Sequence, residues 1–574
     1  MINLRAYSAY IRSTLLLTLR DRTVLFFSYL FPLIFFIAFG EGFGAAQGAG
    51  AATQVIVMVL VLGVLGNGFF GGGMRATFER ETGILRRFKV APITPVPILV
   101  ASIVTGLVIY MPAVFLFFGI ARFRYGLAFP EHWFSLLFFL TFGVVAFRSM
   151  GLIVASVVNS MAESQIIIQL LYFPMLLLSG ATIPLSALPE WLQIVAQFLP
   201  ATHLYLGMQG ILMRNESAMD QLAAIGALTL ATLVCLFIGV KLFRWEKDDR
   251  LKPSAKLWVA AALLPFLLIG GWQAYSQENL RKTKMIDREQ RRSLSWLIRD
   301  ARIFTGDGEV IESGAVLLRG GRIEAVWPGR GPDPDTVRAE LLEAAGRTLL
   351  PGFIDAWVQL PPETVDQQRA LAALLYCGIT GVGVGTERPG LLNELAARIR
   401  EGETLGAAIT GFAPPNPPAG PSLAAREWLD PSTPEPVLLG RSLTQQVLPP
   451  DRRATLAQFM RDWRDRPQAG EPRSAPNPPY SAAGLWNLPH GPAFHRQLQL
   501  MAAAGMTPAE ILHQVTEGAA QRFGLENVGR IRPGADADLL LVDGNPLEDI
   551  SATERIVAVF SKGERVNRSA LLEH

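Results

Sequence analysis

Cysteine is almost absent from this chain. Only Cys235 and Cys377 occur in 574 residues, and the first lies inside a long apolar run. Two isolated cysteines cannot build a disulfide framework, and the sequence has neither a CxxC pair nor a Cys/His spacing typical of zinc sites. These absences exclude a small disulfide-stabilised protein and a zinc-finger module.

Charge is also scarce. Charged residues make up 18% of the chain and the formal net charge is +3. The basic residues of the first half flank apolar runs and do not form one basic face, so we expect no nucleic acid partner. The N-terminus has no short apolar core followed by a small-residue cleavage site, so the first apolar run is expected to direct membrane insertion itself.

Long apolar runs are abundant, but only in the first half. After Trp272 no apolar run is long enough to cross a bilayer. Residues 4–22 alternate apolar and basic positions at helical spacing, which predicts a helix lying on the membrane interface. The predicted membrane spans are 24–40, 55–74, 98–120, 133–158, 166–183 and 222–243.

The charged segment 75–97, RATFERETGILRRFKVAPITPVP, separates the second and third spans. Its five basic residues place it on the cytoplasmic side by the positive-inside rule. Alternation then puts loop 41–54, which has no Lys or Arg, outside and the basic residues of 241–256 inside. Arg122 and Arg124 then lie on the outer side of the membrane, contrary to the positive-inside rule.

A seventh apolar run, 257–272, leaves the side of the second half open. If it crosses, everything after it is extracytoplasmic, and this is the reading we favour. The basic residues of 281–292 follow it directly and favour the cytoplasm, in which case the run is re-entrant or interfacial.

The sequence ERETGILRRFKVAPITP, between the second and third spans, resembles the coupling loop of ABC exporter permeases of the type-2 class. The resemblance to this class covers residues 1–246. An ordinary solvated loop is the alternative on charge alone. The resemblance implies that a separate ATPase subunit pushes on this loop. The residues it assigns to the coupling are Glu79, Arg80, Glu81, Arg86, Arg87, Pro92 and Pro95.

Segment 179–211 carries a second part of the same resemblance, a Pro-broken turn, a Leu-Pro-x-Trp-Leu helix and a Pro-Ala-Thr re-entry after span five. Helix breakers at membrane depth are tolerated only beside protein or a cavity, so we predict an outer gate of the translocation path at Pro184, Pro189, Trp191 and Pro200. A surface amphipathic helix resting on lipid is the alternative.

The resemblance also implies partners. No GxxxxGK[ST] motif occurs in the chain, so ATP and Mg are expected on the separate ABC ATPase subunit and no cofactor on this chain. A second permease copy is expected to complete a dimer in the lipid bilayer of the cell membrane. The implied activity is export of a small amphiphilic, drug-like or lipid-like substrate.

Three features inside the spans have simple interpretations. Gly66-Asn-Gly68-Phe-Phe-Gly71 matches a dinucleotide fingerprint, but no strand precedes it, so it predicts a close-packing helix face. Arg148 either lines the path or extends to the cytosolic interface. His203 receives no role.

The second half is rich in strand signals. Residues 297–327 read as three strands with a Gly-Asp-Gly turn at 306–308. RTLLPGFIDAWVQL at 347–360, GMTPAEILHQVTEGAAQRFGL at 505–525 and VGRIRPGADADLLLVDGNPLEDI at 528–550 resemble the amidohydrolase superfamily. The resemblance implies a small β-sandwich from 295–350 plus 528–568, enclosing a (β/α) barrel at 351–527.

The implied barrel is incomplete and lacks its metal ligands. Residues 351–527 are fewer than the roughly 200 that a complete barrel needs, and two Pro-rich tracts interrupt them. The family's first-strand His-x-His is Trp357 and Gln359, and its late aspartate is Ala482. No Lys occurs between Met285 and Ser561 to serve as the bridging ligand. His490, His495 and His513 do not replace this set, so we expect no metal.

The predicted fold is thus an α-helical membrane bundle of six spans plus a seventh, followed by an α/β domain with a small β-sandwich and a truncated, partial (β/α) barrel. The predicted domains are 1–250 (permease), 251–292 (extra helix and connector) and 293–574 (amidohydrolase-like, expected extracytoplasmic and non-catalytic). The competing interpretation is a membrane-tethered, metal-dependent amidohydrolase acting on C–N bonds. A third makes the second half a binding module.

Overall fold

The computed structural model describes residues 4–20, 22–40, 49–89, 94–125, 127, 129–246, 255–413, 446–447 and 490–572. The chain forms two compact units, Met1–Gln290 and Arg291–His574, and each is described by itself. The three-part division at 250 and 292 stays a prediction.

The described part of the first unit is helical. Its helices are α1 Leu4–Arg20, α2 Arg22–Leu25, α3 Phe31–Phe39, α4 Ala49–Gly68, α5 Arg75–Glu81, α6 Ile84–Lys89, α7 Val96–Tyr125, α8 Trp133–Val157, α9 Met161–Leu178, α10 Glu190–Ala196, α11 Pro200–Met213, α12 Leu222–Lys241, α13 Ala255–Ser276 and the first part of α14 Glu278–Ser293.

Five helical stretches in the described residues are long and apolar enough to cross a membrane. They are Ala52–Glu81, Val96–Arg124, Trp133–Val157, Met161–Leu178 and Ala218–Lys241. They overlap the second to sixth predicted spans. Helix α13 covers the seventh predicted run, and its crossing stays a prediction.

Two predicted spans differ from the structure. The first, 24–40, is interrupted by a π-turn at Phe26–Leu30, and its apolar helix runs only over Ser28–Phe39. The fifth, 166–183, begins and ends earlier, as α9. The Ser160 side chain accepts a hydrogen bond from the backbone N–H of Glu163 and caps its start, and Gly180, with φ +95°, follows its end.

A second π-turn, Phe69–Met74, joins α4 to α5 without a break in the helix. A π-turn adds one residue to a helical turn and leaves its carbonyls poorly matched to amides above them. The glycines of this turn, Gly71 to Gly73, are buried. Helices α4 and α8 form the centre of the apolar core, where Phe69 meets Phe147 with ring centroids 6.2 Å apart.

The second unit opens with an eight-stranded mixed sheet drawn from both ends of the domain, as predicted for the sandwich. Its strands are β1 Trp296–Phe304, β2 Val310–Arg319, β3 Arg322–Pro328, β4 Glu340–Glu343, β5 Thr348–Pro351, β9 Leu539–Val542, β10 Ile556–Ser561 and β11 Glu564–Arg565. The order is β11-β10-β9-β5-β1-β2-β3, with β4 on β1.

Alternation along β1 shows why this sheet forms. Ile298 packs on one face of the sheet and Leu297 on the other, so both faces bury apolar side chains. The predicted turn at 306–308 joins β1 to β2. Strands β5 and β9 pair antiparallel, with Leu350 opposite Leu540, which closes the sheet across almost the whole domain sequence.

The region between these strands is a partial parallel sheet with helices. Strands β6 Phe353–Val358, β7 Ile379–Gly385 and β8 Ala408–Ala413 pair in parallel in that order. Helices α16 Thr364–Tyr376 and α17 Asn393–Arg400 connect them, and α18 Pro492–Ala503, α19 Pro508–Val515 and α20 Glu517–Arg522 come later. A short helix, α15 Pro334–Val337, lies between β3 and β4. This agrees with a truncated (β/α) architecture.

Candidate functional site

The predicted coupling segment forms a helix-turn-helix. Helix α5 ends at Glu81, Gly83 adopts φ +75°, and α6 follows from Ile84. Pro95 begins the return, because its carbonyl accepts hydrogen bonds from the backbone amides of Ile98 and Leu99 at 3.1 and 3.2 Å. Pro92 lies outside the described residues.

Arg80 is turned into the membrane unit and caps another helix. Its side chain is buried and donates hydrogen bonds to the carbonyl oxygens of Ala155 and, at 2.6 Å, Val158, at the end of α8. Arg244, after α12, donates to the same Val158 carbonyl and to the Ser156 carbonyl at 3.0 Å. Two guanidinium groups therefore cover the negative end of the α8 dipole.

The acidic residues of α5 are also used within the unit. Glu79 Oε1 accepts from Arg75 Nε at 3.0 Å, and Arg75 in turn donates to Thr18 of α1 at 2.5 Å. Glu81 Oε2 accepts from the backbone N–H of Met161 at 2.8 Å, which caps α9. These contacts join the coupling segment to α1 and α9.

A different set of side chains from the same segment faces outward. Phe78 and Ile84 are 48% and 37% exposed, unusually large apolar exposures for a charged loop. Arg86 and Arg87 are exposed on α6, and neither makes a hydrogen bond or ion pair within the described part of the chain. The segment thus has an inward set that binds the unit and an outward set of two apolar and two basic residues.

Arg148 is buried in the bundle and satisfied by neutral groups. It is 2% exposed, and its Nη1 donates to Asn67 Oδ1 at 2.8 Å and to the Asn67 carbonyl at 3.2 Å. Its Nη2 donates to the Gly71 carbonyl in the π-turn at 3.1 Å, and Nε to Ser102 Oγ at 3.3 Å. Arg148 therefore neither extends to the interface nor faces an open path in this conformation.

Glycine makes room for that guanidinium group. A Cβ at Gly106 would lie 2.5 Å from Arg148 Cδ, too close for any side chain. Gly68 and Gly71 of the motif lie against α8 and Arg148, which agrees with the predicted close-packing helix face, whereas a Cβ at Gly66 would meet nothing within 4 Å. Together Asn67, Gly71 and Ser102 place four hydrogen bonds around one charge inside the apolar bundle.

The predicted outer gate is a run of short turns and helices. Pro184 precedes a 3₁₀ turn at Leu185–Ala187, and Pro189 precedes α10, where its carbonyl accepts from the Leu192 amide at 2.9 Å. Trp191 is 64% exposed, whereas Pro200 is the buried first residue of α11. The four residues do not converge on one point.

Helix α13 lies antiparallel to α12. Trp258, near its start, contacts Phe237 near the end of α12, with ring centroids 5.7 Å apart. Beyond its other end, Lys282 Nζ donates to Gln221 Oε1 at 2.8 Å, at the start of α12. Between residues 221 and 237 a helix rises about 24 Å, so α13 runs along most of the length of α12.

In the second unit, the two positions that correspond to the family's first-strand histidines hold an indole and an amide. Trp357 is buried on β6, and its ring packs against the Gly385 backbone, where a Cβ would lie 2.5 Å from Nε1. Gln359 follows the strand, and its backbone carbonyl accepts from His490 Nε2 at 3.2 Å. Ala482 lies outside the described residues.

The three C-terminal histidines bind carbonyl groups in three separate places. His495 Nε2 bonds the Cys377 carbonyl at 2.8 Å, and its Nδ1 lies 3.0 Å from Thr553 Oγ1. His513 Nδ1 bonds the Gly306 carbonyl at 2.8 Å. His490 precedes α18 and is not on the helix, whereas His495 lies within it.

Burial keeps His495 neutral. Its environment lowers the pKa to about 4, chiefly through desolvation. In the neutral tautomer Nε2–H donates to the Cys377 carbonyl, and Nδ1 is one of two acceptors near the Thr553 hydroxyl, with the Ile550 carbonyl at 2.8 Å as the other. Within the described ranges, no three His, Cys, Asp or Glu side chains are grouped to hold a metal ion. Among the described residues of this unit, the donors do not fit a catalytic metal.

Sequence reasoning missed the partners of these side chains. Asn67 and Arg244 were not selected, although Asn67 is the only amide in a glycine-rich apolar stretch and Arg244 is the first arginine after the sixth span. Both signals are visible in the sequence. Their partners, Arg148 and the end of α8, are set by helix packing.

Comparison with known proteins agrees with this division. Residues 5–213 match the family model of the ABC-2 type transporter, and residues 489–566 match that of the amidohydrolase family. The chain therefore carries an ABC-2 type transporter membrane domain followed by an amidohydrolase family domain. With its five apolar helices, it is a multi-pass membrane protein.

The curated relatives are transport permeases. The inner membrane transport permease YhhJ of Escherichia coli is 28% identical over 176 residues, which cover 29% of this chain and 45% of the relative. The protein of the same name from Shigella flexneri matches equally. The chain thus spans about half the length of the curated relatives it matches.

Solved structures similar to the chain include molinate hydrolase, at 15% identity over 48% of this chain and 95% of that one, with a TM-score of 0.33. The ochratoxinase of A. niger matches at 12% identity over 47% of this chain and 95% of its own, with a TM-score of 0.32. At these scores the assignment rests on the strand topology and the family matches.

Proposed function

We propose that this chain is the permease subunit of an ABC exporter that moves a small amphiphilic substrate across the cell membrane. A separate ABC ATPase binds ATP and Mg and drives it, and a second permease copy completes the path. One observation carries the proposal: the segment 75–97, at the end of the continuous helix Ala52–Glu81, is bound to α8 through Arg80 and to α9 through Glu81. A push on this segment would therefore act on the continuous helix that carries it, on α8 and on α9.

The outward residues of the segment are the proposed docking face for the ATPase. Phe78 and Ile84 supply apolar surface, and Arg86 and Arg87 supply positive charge with no partner among the described residues. Glu79, Arg80 and Glu81 are proposed to transmit the motion, because their contacts lie within the permease.

Charge reversal tests this division. The chain is co-expressed with an ABC ATPase encoded by a neighbouring gene, and both Arg86→Glu and Arg87→Glu are introduced. We expect at least a tenfold loss of ATPase co-purification and of permease-stimulated ATP hydrolysis, because the docking charge is reversed. Arg122→Glu with Arg124→Glu, in the last turn of α7 and so at the other end of that helix, is the control and should change neither. Normal hydrolysis by the Arg86/Arg87 variant would refute the docking face.

The second unit is proposed to lie outside the cytoplasm and to be non-catalytic. The position of α13 supports this side: Trp258 lies at the Arg244 end of α12 and Lys282 at the opposite end, as a seventh crossing would require. The lack of catalysis is supported by the ligands. Trp357 and Gln359 provide no imidazole, and each of the three histidines bonds a backbone carbonyl, His490 that of Gln359 and the other two those of Cys377 and Gly306.

Metal content separates this proposal from the alternative of a membrane-tethered, metal-dependent amidohydrolase. The full chain, purified in detergent, should contain much less than one zinc, manganese or iron per chain by elemental analysis, because the described donors cannot enclose an ion. Its melting temperature should not respond to a chelator. One tightly bound metal per chain, with chelator-sensitive hydrolysis of an amide, would establish the alternative.

A further inference from the structure

Helix α14 follows the extra span and packs back onto the membrane unit through a polar face. Asn279, Thr283, Ile286 and Asp287 are its buried residues, spaced four, three and one apart on one side of the helix. Only Ile286 joins the apolar core of the bundle. Three of the four buried side chains are therefore polar, unlike those of the spans.

A charged cluster fixes this helix to one end of the bundle. Lys282 Nζ lies 3.0 Å from Glu216 Oε2 and 2.8 Å from Gln221 Oε1. Glu216 Oε1 also accepts from Arg214 Nε at 2.8 Å. The side chains of Lys282 and Glu216 are about four-fifths buried, so the pair is only partly screened by solvent. This end is opposite the coupling segment.

Contacts continue from α14 to the predicted outer gate. Asp287 and Gln290 lie within electrostatic reach of the Tyr205 hydroxyl on α11. The Tyr205 ring fills the space left by Gly180, where a Cβ would lie 2.5 Å from the ring. Gly180 starts the run of turns that holds Pro184 and Pro189. Helix α14 is thus connected to the gate segment through one aromatic side chain.

Docking of α14 leaves two polar atoms unsatisfied. Within the described part of the chain, Asn279 Nδ2 on α14 and Gln209 Oε1, one turn after Tyr205, are buried without a hydrogen-bond partner. A buried polar atom without a partner has lost its hydration and gained no bond in exchange. Undocking of α14 would hydrate these groups, which offsets part of the stabilisation that the docked contacts contribute.

We propose that α14 is a strap that closes the outer end of the permease, latched by Lys282 on Glu216 and Gln221, and that it must detach for substrate to leave. The proposal rests on the exporter function proposed above. The α13–α14 extension, like α12, lies beyond residues 5–213, which the transporter family model matches. In the docked state Tyr205 and the gate segment are held together. Release of Lys282 frees both.

The latch is tested by a pair of identical substitutions. Lys282→Met removes the ion pair, and Lys284→Met changes an exposed lysine two residues away that makes no contact among the described residues. In the full chain, hydrogen exchange of the 278–290 amides should rise at least fivefold in Lys282→Met and stay unchanged in Lys284→Met. Exchange in α12 should not change. Equal exchange in both variants would overturn the strap, whatever the chain transports.

Gating is tested by cross-linking. Gln221→Cys and Lys282→Cys are combined in a chain with Cys235→Ala and Cys377→Ala and joined by a short, reducible bis-thiol reagent. Ethidium efflux from cells that co-express the ATPase should fall at least tenfold and recover on reduction. A Phe237→Cys/Trp258→Cys cross-link, at the other end of α12, should leave efflux intact. Normal efflux with the 221–282 cross-link in place would overturn gating by the strap.

If the proposed export function is wrong, the experiments give a different result from that expected when only the strap is wrong. The chain without a cross-link then shows no ATPase-dependent ethidium efflux. The comparison of hydrogen exchange in Lys282→Met and Lys284→Met still decides whether the latch exists.

Discussion

His495 shows how a residue that suggests a metal ligand can serve packing instead. Both ring nitrogens have partners, Cys377 and Thr553, and neither faces a solvent-filled space that could admit an ion. The ring lies beside Phe353 and Phe494, with ring centroids 6.0 and 5.8 Å away. Its function in the second unit is to hold α18 against the end of α16.

This neutral histidine predicts acid sensitivity. Burial lowers its folded pKa to about 4 from the ordinary histidine value of 6.5, so the unfolded chain binds the proton first as pH falls. The contribution of neutral His495 to the free energy of unfolding is therefore fully present above pH 6.5. It is lost between pH 6.5 and 4 and amounts to on the order of 3 kcal/mol. Pulse proteolysis of the full chain at pH 7 and pH 4.5 measures this, followed at fragments of the second unit. The His495→Gln variant cannot titrate there, so an equal pH slope in that variant would contradict the assignment.

The residue identities at Trp357, Gln359 and the three histidines predict that no catalytic metal is bound, because ligand chemistry is a property of the side chain, and this stays a prediction. They did not predict the partners. Arg148 had two possible positions from its sequence, and only the packing of α4, α7 and α8 selects the buried one. The glycines of the 66–71 motif and Asn67 did not indicate where the Arg148 side chain lies. Which side of a helix faces a neighbouring helix depends on contacts between residues that are distant in sequence.

At the scale of elements, the boundaries were predictable where a local signal exists. The sandwich strands agree with the alternation of apolar residues and with the Gly306–Gly308 turn. Ser160 is a typical helix-capping residue and marks the start of α9, five residues before the start predicted from the apolar run. The π-turns at Phe26–Leu30 and Phe69–Met74 had no recognisable signal. A π-turn is selected by the groups around it, here including Arg148.

The hydrogen-bond acceptors around the Arg148 guanidinium group, which lies against the π-turn, lead to a prediction about stability. Asn67→Ala removes Oδ1 at 2.8 Å from a buried guanidinium group, which leaves charge under-bonded in the bundle. We expect the free energy of unfolding to fall by about 1–3 kcal/mol, measured by steric trapping in detergent. Thr141→Ala removes only a hydroxyl bonded to its own helix at the Leu137 carbonyl and is the control, with a change under about 0.5 kcal/mol. Equal stability of Asn67→Ala and wild type would show that the amide does not support the charge.

At the scale of the whole molecule, the sequence predicted two parts of different chemistry from the distribution of apolar runs alone. It left the membrane side of the second part open, because basic residues flank both sides of the seventh run. The contacts of Trp258 and Lys282 at opposite ends of α12 favour one choice.

Topology is tested by labelling in intact cells. Ser313→Cys, on an exposed position of β2, is introduced into the chain with Cys235→Ala and Cys377→Ala. An impermeant maleimide should label it before lysis, since α13 is expected to carry the second unit out of the cytoplasm. Thr82→Cys in the coupling segment should label only after lysis. Labelling of both only after lysis would make α13 re-entrant.

The π-turn at Phe69–Met74 also decides where the length of this helix can change. Each residue of a regular α-helix turns the chain by about 100°, whereas the wider π-turn takes up its extra residue within one turn. Loss of a single glycine from Gly71 to Gly73 would therefore restore a regular helix and leave Phe78 facing outward and Arg80 at the end of α8. A residue inserted after the turn is not taken up in this way and would rotate both side chains by about 100°. The helix is thus tolerant of a change in length at the glycines and sensitive to one anywhere beyond them.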